Sequence, residues 1–305
     1  MKKKTISKLC FSLLLSLLIM LVFAGTLLSA LSFAITCIVK PTNIVTWERS
    51  SSIVVTVLSL LLFCFSFRQM TKSISSVSVG KKPVPICELI VLTLSGYGFT
   101  SIFAYLGMSL NTGIVYLITG KLKTLKDTAI VANAFDEVPI VLLITYVVIL
   151  GPLLEELIFR KLLIDKLRPF GYTVSIVTSG IMFGAYHMNL EQFFYAAFLG
   201  IILGSIYYKT GNFLYTFISH AAFNFTTVFL SFILADYIQL AGVLSLLLNI
   251  IGILCFILWG RKLLFKKPDE TIFHLSFKDI WLNPGMIIFL VFTLGASILT
   301  LFPIH

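Results

Sequence analysis

Charge is scarce in this sequence. Aspartate and glutamate together number 13 in 305 residues, histidine 4, and all charged types make up only 12%. From Leu9 to Val39 there is no charged residue at all. A soluble globular domain carries about 25% charged residues, so composition excludes one. The five cysteines (Cys10, Cys37, Cys64, Cys87 and Cys255) lack any paired, metal-type or redox spacing, which argues against a zinc ribbon or a dithiol centre. No internal repeat or low-complexity segment recurs along the chain, which excludes solenoids and linker-joined arrays. What is abundant is apolar surface: 58% of residues are hydrophobic and the mean hydropathy is +1.03. That balance belongs to a polytopic membrane protein.

The net charge of +10 invites a nucleic-acid reading, but the basic residues sit between apolar runs. There they act as topology determinants and as contacts for anionic lipid, and nucleic acid is not an expected partner. Lys2-Lys3-Lys4 followed by an apolar run imitates a signal peptide, yet the run is far longer than a signal h-region. It reads as a retained first transmembrane helix with tilt, or with a kink near Gly25.

Charge-free runs predict an all-α, polytopic transmembrane bundle of eight or nine spans, near 9–37, 52–67, 86–110, 139–159, 172–190, 193–208, 213–234, 240–259 and 286–304. The second and sixth are short and expected to be irregular. The stretch 111–138 is the least defined, because Asn111-Thr112-Gly113 is expected to break the third run. Basic residues fall in alternate loops: Lys2 to Lys8, Arg68 to Lys82, Arg160 to Arg168, Lys209, and Arg261 to Lys267. By the positive-inside rule the N-terminus is cytoplasmic and the C-terminus extracytoplasmic. The expected organisation is N-terminal helices over 1–138, a core over 139–235 and C-terminal helices over 236–305.

Three polar motifs interrupt these runs: Glu155-Glu156-x-x-x-Arg160, Phe183-x-x-x-His187 and His220-x-x-x-Asn224. Ionisable groups at membrane depth are costly and mark functional sites by default. Glu156 and Arg160, four apart, share a helix face and are expected to pair. Glu155 points about 100° away and, unpaired among leucines, is the candidate general base. In an antiparallel hairpin centred on Gly171, position i faces position 342 minus i, which sets Glu155 level with His187. His220 and Asn224 share a face of a third helix. A lone membrane histidine is usually an interhelical hydrogen-bonder, but a converging carboxylate, two imidazoles and an amide can activate water. Glu155 would take the proton, the histidines would orient water or hold a metal, and Asn224 could donate to a developing oxyanion. Glu155, His187 and His220 would also serve as a zinc site with an open fourth position. Counting inward from the basic loops places all three roughly 10 Å from the cytoplasmic boundary, at 1.5 Å per residue. Gly180-x-x-x-Gly184 and Gly200-x-x-x-Gly204 are small-residue faces for close helix packing.

Together the motifs resemble the CPBP family of intramembrane proteases (CAAX proteases and bacteriocin-processing enzymes, also called Abi). The family pattern is E-E-x-x-x-R, then F-x-x-x-H, then H-x-x-x-N or D, and all three are intact here in that order. The resemblance covers about 139–235. It implies peptide-bond hydrolysis in a cavity between helices near the cytoplasmic leaflet. It assigns Glu155 as the water-activating base and Glu156 with Arg160 as its support. His187 and His220 become water-orienting or metal-ligating residues, and Asn224 the oxyanion donor. Both a zinc-dependent and a metal-free, glutamate-driven mechanism are associated with the family, and its bacterial-looking members with bacteriocin maturation and self-immunity.

Two other functions compete. A non-catalytic scaffold or immunity protein that binds a peptide or protein would tolerate degenerate motifs, whereas these are complete. A transporter would bring repeat symmetry and Gly/Pro-broken helices in both halves, neither of which is present. The expected partners are the lipid bilayer, a membrane-associated peptide or protein substrate, and a further membrane protein.

Overall fold

The computed structural model describes residues 2–35, 37, 44–78, 80–121, 138–265, 276–299 and 301. Among these there is no strand. The elements are α1 (Lys2–Ala34), α2 (Ile44–Thr71), α3 (Ile86–Thr119), α4 (Ile140–Phe170), α5 (Tyr172–Tyr186), α6 (Leu190–Thr210), α7 (Phe213–Ile233), α8 (Ala235–Leu264), a short α9 (Phe277–Trp281) and α10 (Pro284–Leu299). Each of the nine expected apolar runs contains a helix.

Among the described residues, seven of them are long and apolar enough to cross a membrane by length and composition, against the expected eight or nine. The shortfall is length: α5 has 15 residues and α10 has 16, against the ~20 that a membrane span needs. The expected run 172–190 is cut by a turn at His187-Met188-Asn189, where Met188 takes a positive φ of 46°. Two irregularities do not occur. The second and sixth runs are regular helices of 28 and 21 residues, because the helix extends past the charges that bounded the runs. Asn111-Thr112-Gly113 does not break α3 either, since Asn111 is buried and its side chain donates to the Glu191 carboxylate of α6. Residues 122–137, His274 and His305 lie outside the described residues.

The loops expected on one side are tied to one another. Lys8 of α1 donates to Ser73 after α2 (2.8 Å). The Val77 amide donates to the Asp165 carbonyl (2.8 Å) and the Lys82 amide to the Thr210 carbonyl (2.7 Å). Arg168 donates to the Tyr208 carbonyl (2.8 Å), and Lys209 to the Leu263 carbonyl. The alternate, basic loops thus form one end of the bundle. The Gly285 amide donates to Ser7 Oγ (3.0 Å), so the first and last helices begin together at that end and run parallel. Contacts cross the 1–138, 139–235 and 236–305 divisions: α3 packs on α6 and α8, and α1 packs on α2 and α10.

Two close approaches hold the core. The α4–α5 hairpin turns at Gly171, whose φ of 94° lies where L side chains are strained. The α5–α6 pair closes through glycine: a Cβ on Gly184 would lie 2.4 Å from the Phe193 carbonyl oxygen, and one on Gly180 would lie 2.8 Å from that of Ala197. Gly184→Ala is therefore expected to push α6 away and lower the thermal midpoint by several degrees. Gly113→Ala, with open space at that position, is the control. Equal melting of the two variants in detergent would refute the close-packing role.

Candidate active site

α4 carries the first motif on an uneven backbone. The helix is α over 140–144, π over Thr145–Leu150, α over Gly151–Glu156 and π again over Leu157–Ile164. π turns cluster at functional sites, and here they bracket Glu155 and Glu156. Pro152, near the start of the central α segment, lacks the amide proton that a regular helix would need.

Glu156 and Arg160 are both completely buried. Arg160 Nε donates to Glu156 Oε2 at 2.9 Å and Nη2 to Oε1 at 3.3 Å, a two-pronged pairing. Its third arm, Nη1, donates to Ser179 Oγ of α5 (2.9 Å), and Ser179 donates onward to the Phe159 carbonyl (3.0 Å). A buried arginine needs its donors satisfied, and this set satisfies every nitrogen while stitching α5 to α4. Ser179 was missed in the sequence, although the hairpin register places it nearly opposite Arg160.

The second partner of Glu156 also went unseen. His220 Nδ1 lies 3.0 Å from Glu156 Oε1. An ionised carboxylate only accepts, so Nδ1–H donates and the Nε2 lone pair is left facing away. What it faces is Glu155: Nε2 and Glu155 Oε2 are 3.8 Å apart. That is too long for a direct hydrogen bond and short enough for one water to touch both. Glu155 is 12% exposed, whereas Glu156 is fully enclosed. The two adjacent carboxylates thus have separate surroundings, as their positions on the helix required. The phenols of Tyr146, Tyr186 and Tyr195 lie within electrostatic reach of Glu155.

Phe183 is the hub of the aromatic wall. Its ring meets His187 (5.0 Å), His220 (5.7 Å) and Phe159 (5.1 Å) edge-on, and the Arg160 guanidinium lies 5.2 Å from its centroid. It keeps both imidazoles at fixed tilts and shields the ion pair through a cation–π contact. His187 closes α5 and also packs on Tyr186 at 5.2 Å. Asn224, one turn beyond His220, donates one amide hydrogen to the Val147 carbonyl at 2.8 Å, inside the first π turn of α4. Its second amide hydrogen is not used by that bond.

α3 presses α7 into place. Tyr97 donates to the Ala222 and Phe223 carbonyls (2.9 Å each) and stacks on Phe223 at 4.5 Å, and Thr93 donates to Ser219 Oγ (2.9 Å). The residues flanking His220 are thereby anchored by a helix that precedes the expected core at 139–235.

A resident zinc would need three protein ligands around one point. No group of three or more His, Cys, Asp or Glu side chains gathers in that way among the described residues. Glu155 and His220 converge, but His187 does not complete a ligand set with them, so the residues as placed do not fit a zinc cage.

A family model described as type II CAAX prenyl endopeptidase Rce1-like matches residues 137–226. No curated protein and no solved structure matches the chain. The matched segment contains all three motifs and every side chain of the Arg160–Glu156–His220–Glu155 array. Residues 137–226 are thus similar to the type II CAAX prenyl endopeptidases, in agreement with the resemblance of the three motifs to the CPBP, or CAAX-protease, family.

Proposed function

We propose that this protein hydrolyses a peptide bond in a membrane-associated peptide or protein, with Glu155 as the general base. The observation that carries the proposal is the directed array Arg160–Glu156–His220, which ends with an imidazole lone pair 3.8 Å from the Glu155 carboxylate. A water between them donates one hydrogen to Glu155 and the other to His220 Nε2. Its own lone pair then points at a substrate carbonyl. As oxygen attacks the carbonyl carbon, its proton passes to Glu155, and the C–O π electrons collect on the carbonyl oxygen. The remaining Asn224 N–H and the His187 ring are the donors proposed for that oxyanion. Glu155 returns the proton to the leaving nitrogen as the C–N bond breaks. Glu156 stays ionised beside Arg160 throughout and keeps His220 in the tautomer the water needs.

The clustering of basic loops at one end supports a cytoplasmic N-terminus. Counted along α7 from that end, His220 lies about 10 Å in, at 1.5 Å per residue, and the Glu155 carboxylate lies beside it. The substrate would thus enter from the cytoplasmic leaflet. The test compares membranes carrying the wild type with membranes carrying Glu155→Gln, by mass spectrometry of small membrane proteins and released peptides. A peptide processed only by the wild type is the expected result. Identical peptide profiles from equally expressed proteins would refute the proposal.

A further inference from the structure

A cavity of about 440 Å³, which shares no lining residue with the proposed catalytic array, lies between the starts of α1 and α10. Lys3, Lys4 and Lys8 line it together with Ser7, Phe11, Pro284, Gly285 and Ile288. Its floor is apolar and its rim is cationic. Phe11 is 51% exposed and Ile288 47%, so the floor continues outward onto the membrane-facing side of these two helices. Lys3 and Lys4 are exposed, and Lys8 spends one of its three hydrogens on Ser73.

The backbone does not compete for this role. At the start of α10 the Gly285 amide is bound by Ser7 Oγ, the Met286 amide by Asn283 Oδ1 and the Ile287 amide by the Asn283 carbonyl. Recognition of an anion therefore falls to the ammonium groups. Asp279 lies within electrostatic reach of Lys3 and is engaged in the capping box of α9 with Ser276.

We infer that this groove is a binding site for one anionic phospholipid, with its phosphate among Lys3, Lys4 and Lys8 and an acyl chain laid along Phe11 and Ile288. Charge complementarity selects the phosphate. The apolar floor opening onto the lipid-facing side selects a lipid over a free anion. The volume is within the range of small-molecule sites. The site lies at the basic end of the bundle, at the level where headgroups sit. A lipid there joins the first helix to the last, which meet through the Gly285–Ser7 bond.

The test is native mass spectrometry of the full chain in detergent, with phosphatidylglycerol, phosphatidylcholine or inorganic phosphate added. One phosphatidylglycerol is expected to remain bound where phosphatidylcholine does not, and inorganic phosphate is expected not to displace it. The K3Q/K4Q/K8Q variant, altered only at exposed positions, is expected to bind it roughly a hundredfold more weakly, since each lysine near an anionic headgroup contributes about tenfold or less. K81Q/K82Q, at the same end but away from the groove, should bind as the wild type does. Ile288→Trp, which fills the floor and keeps the lysines, should also lose the lipid. Equal retention of phosphatidylcholine, unchanged binding in the triple lysine variant, displacement by inorganic phosphate, or full binding in Ile288→Trp would each overturn the inference.

Discussion

Glu156→Ala is expected to destabilise the protein by about 3–5 kcal/mol, the loss associated with stranding one partner of a buried ion pair. Arg160 has no exposed surface, and without Glu156 its Nε and Nη2 lose their acceptors. The variant should accumulate poorly in membranes and melt well below the wild type in detergent. Replacing both partners, as Glu156→Met with Arg160→Met, removes the stranded charge and should recover most of that stability. It should not recover turnover, because His220 Nδ1 still lacks the carboxylate that sets its tautomer. A Glu156→Ala protein that melts like the wild type would remove the structural role. A double-methionine protein with wild-type turnover would remove the orienting one.

The largest effect on rate is expected at Glu155. Glu155→Gln keeps shape and hydrogen-bonding capacity but cannot take a proton, and the loss of a general base lowers kcat by about 10²–10⁴-fold. Stability should be nearly unchanged, because Glu155 is the partly exposed carboxylate and is outside the Arg160 network. His220→Gln should fall by a similar factor, since it removes the other acceptor for the same water. The informative measurement is the double variant. Two groups that act on one water fail together, so Glu155→Gln with His220→Gln should be no slower than the slower single variant. Multiplied effects would mean that the two residues serve different steps, and the shared water would have to be abandoned.

The apolar runs and the three motifs could be read directly, because membrane burial leaves so strong a mark on composition. The hairpin register also held: Phe159 and Phe183, whose numbers sum to 342, meet at 5.1 Å, and Arg160 bonds to Ser179. Other features were out of reach. Spacing of i and i+4 showed Glu156 facing Arg160 but could not show that the same carboxylate meets His220, 64 residues away on another helix. The π turns flanking Glu155 leave no signature in apolar periodicity, since Val, Leu and Ile occupy either geometry. The turn that ends α5 was not legible because His187-Met188-Asn189 contains neither glycine nor proline, and a turn of ordinary residues interrupts no hydropathy pattern. The contribution of α3 was invisible for the reason that makes it effective: Tyr97 and Thr93 act through backbone carbonyls and a serine of α7, and such partners have no sequence motif.

The sharing of Glu156 between two partners has a consequence for how the protein is made. Arg160 and Ser179 lie on α4 and α5, consecutive helices joined by a tight turn, so the carboxylate can be pinned as soon as that hairpin has left the ribosome. His220 arrives only with α7, after α6 has packed through Gly180 and Gly184. Synthesis from the N-terminus thus builds the scaffold of the water site before its second acceptor exists. On the proposed mechanism, a nascent chain still threading into the membrane holds a paired, inert glutamate, and hydrolytic capacity would begin only when the seventh helix docks.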